Sequence, residues 1–135
     1  MKKATAAWVR KAEADYQLAA DIARGRKRFH DQQCFHCQQA SEKYLKALLE
    51  ELGLAIPHTH NLDALLSLLV SHHAPLGSLR RGLIFLSDFA VGTRYPGDDA
   101  SKRQAAAAFR WAGRVRDLCR VLLGIRVRQR RRRSK

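Results

Sequence analysis

Apolar residues recur every three or four positions along most of the chain, and no run alternates with a period of two. That spacing lays one apolar stripe along a 3.6-residue helix but scatters it over both faces of a strand, so the chain is expected to pack as helices and not as a sheet. Trp8, Ala12, Asp15, Ala19 and Ile22 mark one stripe and predict a helix over roughly residues 4 to 24, closed by Gly25 and the basic run Arg26-Lys27-Arg28. A second helix is expected from Asp31, read as its N-cap, to Leu52, with Phe35, Leu45, Leu48, Leu49 and Leu52 on its apolar side and Gly53 as its stop. Pro57 disfavours helical geometry at Ile56, so a loop follows. Asn61 is placed to cap a third helix through Leu62, Leu65, Leu66 and Leu69. A fourth carries Leu79, Leu83, Leu86 and Phe89 and breaks where Gly92, Pro96 and Gly97 fall. Asp98 or Asp99 is expected to cap the last helix, which runs through Ala105, Phe109, Ala112, Val115, Cys119 and Leu122. Four or five helices with short connections in 135 residues imply an all-α, up-and-down bundle.

Charge narrows the class of partner. The chain has 26 Lys and Arg against 12 Asp and Glu, a formal net charge of +14, which attracts polyanions. Arg126, Arg128, Arg130, Arg131, Arg132, Arg133 and Lys135 follow Ile125 with no acid among them, and without these seven the charge falls from +14 to +7. Such a block repels itself, so residues 125–135 read as a disordered tail behind a folded domain of residues 1–124. The tail can bind nucleic-acid phosphates without reading sequence, and it has no aromatic on which a base could stack. An acidic partner surface, or no role at all, are its other readings. Arg103, Arg110, Arg114, Arg116 and Arg120 continue the basic stripe back along the last helix, which favours nucleic acid.

No stretch reaches the roughly 18 uncharged apolar residues of a membrane span, and MKKATAAWVR runs into charge where a leader would be apolar. A soluble, cytoplasmic chain with no membrane association is expected, and three cysteines do not make a disulfide framework. His30, Cys34, His36 and Cys37, with His58 and His60 downstream, include metal-ligand types. Yet the Cys34 and Cys37 pair lies within a helix without a second pair at zinc spacing, so the expectation is no metal, no cofactor and cysteines that pack as small apolar groups. His60, just before the third helix, is expected to help satisfy open backbone groups there.

The string CFHCQQASEKYLKALLEELG, followed by PHTHNLDALL and then TRYP before an alanine-rich last helix, resembles the HEPN domain. The likeness runs from about Ala6 to Gly124, and its most specific pieces are Gln39, Glu42, Lys43 and Lys46, His60, and Arg94-Tyr95-Pro96. It implies a four-helix bundle with an extra short helix, a homodimer, and RNA or nucleotide binding. It also implies a partner, a minimal nucleotidyltransferase, in a toxin-antitoxin-like pair. Many members are metal-independent ribonucleases with an Arg followed four to six residues later by His. After Arg94 those places hold Asp99, Ala100 and Ser101. The other formal match, Arg24 to His30, falls in a basic loop after the first helix and reads as coincidence. Nuclease activity therefore does not carry over with the resemblance. A ribonuclease with a degenerate site, lacking an evident general base, and a non-catalytic dimeric adaptor stand as the alternatives.

On the residues themselves, Arg94 and Tyr95 combine a planar cation that fits phosphate with a ring that can stack on a base, in a turn carried by a rigid scaffold. The other reading is an Arg94 paired with a helix carboxylate and a Tyr95 packed under the turn. Gln39, Glu42 and Lys46 share a helix face, with Lys43 at its edge. They form either a solvated stripe or a row facing Asp15 and Arg94. Asp15 interrupts an apolar stripe, and a buried carboxylate there needs a partner, with Arg94 and Lys43 as the candidates. The candidate binding set is therefore Arg94, Tyr95, Lys43, Gln39, Glu42 and Asp15.

Overall fold

The computed structural model of the chain describes residues 1–91 and 95–125. Arg94 and the tail from Arg126 onward lie outside the described residues. Five α-helices and one short 3-10 helix follow in order: α1 Lys3–Arg24, α2 His30–Glu51, α3 Leu62–Leu69, the 3-10 turn Ala74–Leu79, α4 Arg80–Ser87 and α5 Lys102–Leu122. The described residues contain no strand.

The second helix is the axis of the bundle and packs against α1, α3, α4 and α5. Its sequence shows why: Cys34, Cys37, Tyr44, Leu45, Ala47, Leu48 and Leu49 are almost wholly buried, so apolar groups surround it instead of marking one side. From α1, Ala12 and Ala19 let the two long helices approach closely, and Ala105, Ala108, Ala112 and Val115 do the same for α5. Leucines of α3 and α4 close the end of the core. Burying this many apolar side chains, each contributing roughly 1.5–3 kcal/mol, is what offsets the ordering of the chain.

Local signals set most of the boundaries. Asn61 caps α3 as expected, its side chain accepting from the Ala64 amide at 3.2 Å. Two cap assignments are corrected. Asp31 lies inside α2, where its Oδ1 accepts instead from the Ala100 amide at 2.7 Å, so it ties the start of α2 to the approach of α5. Ser101, not Asp98 or Asp99, caps α5, and Ser101 with Gln104 forms a reciprocal capping box. Helix α4 stops at Ser87, two residues short of Phe89, which is nonetheless buried and meets Phe85 edge to face at 5.3 Å. At the far end Gly124, at φ +72, lets the Ile125 amide reach back to the Arg120 carbonyl at 2.9 Å. Ile125 thereby packs against the core, one residue beyond the expected end of the folded domain.

Candidate functional site

The polar residues singled out from the sequence separate into two clusters on α2. In the first, α1 brings Asp15 against α2, where its carboxylate meets His36 Nδ1 at 2.9 Å and also takes a hydrogen bond from Lys43. All three side chains are mostly buried, so the charge of Asp15 is matched where water cannot solvate it fully. Lys43 was a candidate partner; His36 was expected only among possible metal ligands.

The second cluster is built on Glu42, which is buried although charged. Its carboxylate takes Gln38 Nε2 at 3.1 Å, His60 Nδ1 at 2.8 Å and Lys46 Nζ at 3.0 Å. Burial works to raise this carboxyl, but the hydrogen bonds from His60, Gln38 and Lys46 outweigh it and hold the group below the usual carboxylate range. Gln38, fully buried, is satisfied in turn by Gln39 and by the His60 carbonyl. His60 therefore braces Glu42 and leaves the capping of α3 to Asn61. The row Gln39, Glu42, Lys43 and Lys46 does not act as a single face: Lys43 belongs to Asp15, while Glu42 and Lys46 belong to an internal network. Lys46 also lies over the Trp8 ring at 5.9 Å.

A third charged cluster holds α1 to α5. Glu13 takes two hydrogen bonds from Arg116, one of them at 3.1 Å, together with those of Tyr44 and Gln17. Arg120 adds a bond to the Tyr44 hydroxyl at 3.3 Å. Burial opposes the charge on Glu13, yet Arg116, Tyr44 and Gln17 lower its carboxyl to about 2. Burial, then the hydrogen bond to Glu13, pushes the Tyr44 phenol up from its ordinary value.

Tyr95 is the most open of these groups, 84% exposed. The residues after it explain why. Pro96 and Gly97, at φ +90, occupy the two central positions of a turn closed by the Asp98 amide on the Tyr95 carbonyl at 3.0 Å, the arrangement a type II turn requires. The turn lifts the ring off the bundle, and Ala100 anchors the same segment to Asp31.

A feature the sequence did not announce is a groove of about 560 Å³ between the α1–α2 connection and the first turns of α5. Arg26, Lys27 and Arg28 form one rim and Lys102 and Arg110 the other, with Phe109 and Gln33 between them. The run Arg26-Lys27-Arg28 was visible, but the facing cations come from the other end of the chain. Among the described residues, no group of three or more His, Cys, Asp or Glu is arranged to hold a metal ion. Cys34, Cys37 and Cys119 are buried in the core and not joined in disulfides, and burial pushes Cys37 and Cys119 well above the ordinary thiol range. No described helix is long and apolar enough to cross a membrane.

No curated protein matches the chain. The crystal structure of an archaeal HEPN homologue superposes on it with a TM-score of 0.72 at 23% identity, covering 91% of this chain and 99% of that one. That likeness establishes the shared fold. The family model of the HEPN domain matches residues 5–122, from the first turn of α1 to the end of α5, and so spans all the clusters above. By that match, which covers most of its length, the chain belongs to the HEPN domain family.

Proposed function

We propose that this protein is an RNA- or nucleotide-binding HEPN module, a cytoplasmic homodimer that works as the partner of a minimal nucleotidyltransferase in a toxin-antitoxin-like pair. The observation that carries the binding reading is Tyr95, 84% exposed in a turn followed by Ala100, which is tied to α2 through Asp31. A phenol ring held out on such an arm is a platform for a base, and Arg94 stands next to it in sequence to supply charge for a phosphate. The buried networks around Asp15 and Glu42 support this arm by joining α1 to α2 and α2 to the loop before α3. Their role here is to stiffen the scaffold, since their polar atoms are already committed to one another.

Binding is favoured over cleavage because residues 99 to 101 supply no imidazole, and Asp99, the one ionisable group there, is a carboxylate, a weak general base near neutral pH. The test is incubation of the full chain with labelled single-stranded RNA in the absence of divalent metal, beside Arg94→Ala and Tyr95→Ala. The expected result is binding without cleavage, weakened by roughly 5-fold or more in Tyr95→Ala through loss of stacking. Cleavage that disappears in Arg94→Ala would assign a ribonuclease instead, and no binding by any form would leave the adaptor. The partnership is read separately, by co-purification with a minimal nucleotidyltransferase encoded beside the chain.

A further inference from the structure

We infer that the groove between the α1–α2 connection and α5 is a binding site for the phosphate backbone of single-stranded nucleic acid. The identity of the ligand rests on the RNA-binding reading above, while the location rests on the groove alone and uses neither Tyr95 nor the arginine tail. Three consecutive cations in an exposed loop are ordinarily a solvated surface. Arg26, Lys27 and Arg28 differ because Lys102 and Arg110 face them across a cavity of about 560 Å³, and no acid is among the lining residues. None of the five forms an ion pair with a described carboxylate. Five unpaired cations facing one another repel, so the fold holds them together at a cost that a polyanion would remove.

The dimensions favour a chain of phosphates over a single nucleotide. Lys102 and Arg110 are eight residues apart on one helix, about 12 Å along its axis. A single strand running along the groove passes at least two phosphates over that length, more than the one phosphate of a nucleoside monophosphate. Ile22, Ala105 and Ala106 add apolar groups to the lining between the cations. Phe109 stacks one face of its ring on Tyr16 at 5.5 Å, which leaves at most the other face for a base. The groove thus holds the backbone, and stacking on the exposed ring of Tyr95 adds affinity that is likewise tolerant of base identity.

The experiment uses the full chain and fluorescence anisotropy with a short labelled oligouridylate across a salt series. Two groove variants reverse charge on opposite rims, Lys102→Glu with Arg110→Glu, and Arg26→Glu with Arg28→Glu. A control, Lys3→Glu with Arg10→Glu on the far part of α1, makes the same change in net charge. All six side chains are exposed, so the fold should survive; thermal unfolding checks it, and either rim alone suffices if the other misfolds. Each groove variant is expected to weaken binding about tenfold or more and to lower the slope of log K against log salt by about 1.4, while the control stays within about threefold. Equal losses in groove and control variants, or no loss in the groove variants, overturn the proposal. So does ATP displacing the oligouridylate with a groove-dependent affinity matching that of the RNA, since the site would then be one for a nucleotide. If Tyr95→Ala abolishes binding and the groove variants bind normally, the Tyr95 reading stands and the groove falls; the reverse pattern keeps the groove and removes Tyr95.

Discussion

Glu13 shows how a single side chain can connect two distant segments. It lies on α1, receives two hydrogen bonds from Arg116 on α5, and also accepts from the fully buried Tyr44 on α2, so three helices meet at one carboxylate. Removing a buried partner leaves an uncompensated charge and costs about 3–5 kcal/mol in a dry site. The side chain of Glu13 keeps 24% of its exposure, so Glu13→Ala is expected to cost less, about 2 kcal/mol, in urea unfolding. The carboxyl sits at about 2 in the folded chain against an ordinary 4.5, so its contribution is present above pH 4.5 and is lost as the pH falls towards 2. Unfolding free energies of the wild-type chain and of Glu13→Gln should therefore converge over that acid window, whereas a constant gap would show that Glu13 does not titrate as described. The sequence offered no signal for this contact, because a glutamate one position from Ala12 looks like an ordinary helix-edge charge. Asp15 was legible for the opposite reason: it breaks a stripe of apolar residues, which demands a partner, although the stripe could not say that His36 joins Lys43 in providing it.

The elements themselves rest on propensity, capping and fit. Periodicity located the helices that bury one face, and α2, buried nearly all round, was legible through its length and the density of its apolar residues. The cap at Asn61 was legible, whereas Asp31 proved to lie inside α2 and bond the Ala100 amide, and at α5 Asp98, Asp99 and Ser101 competed. There the choice fell to Ser101, whose hydroxyl and backbone pair reciprocally with Gln104. Ser101→Ala should destabilise the protein by about 1 kcal/mol, seen as a lower urea midpoint with unchanged slope. Close fit between elements was not legible at all. Gly82 in α4 faces the indole of Trp111 in α5 so closely that an added Cβ would lie 2.1 Å from ring atoms. The Arg114 guanidinium covers the same indole, 4.9 Å from its centroid. Gly82→Ala gains roughly 1 kcal/mol of helix propensity, but the overpacking costs about 1–3 kcal/mol. The expected outcome is net destabilisation together with a changed tryptophan fluorescence spectrum. An unchanged or raised melting temperature would show that α4 and α5 have more slack than this contact implies.

At the scale of the whole molecule, the charge of +14 divides into parts with different consequences. Seven charges follow Ile125, and an equal net charge remains on the body. On the body, some cations are already used: Arg116 on Glu13, Lys43 on Asp15, Lys46 on Glu42 and Arg80 on Asp63. Those of the groove form no ion pair with a described carboxylate, so part of the excess charge on the folded part lies between the α1–α2 connection and α5. Composition and the arginine run revealed the tail, but the groove needed the fold, because its two rims come from opposite ends of the sequence. A chain ending at Ile125 separates the two contributions. If all seven tail charges engage a single strand, deleting them lowers the salt slope by about 5 and weakens binding most at low salt, uniformly across RNA sequences. The binding that remains should stay sensitive to Lys102→Glu with Arg110→Glu, and should depend less on salt than that of the full chain. Complete loss of binding in the shortened chain, with its unfolding curve unchanged, would mean that the tail supplies the affinity and that the body does no more than carry it.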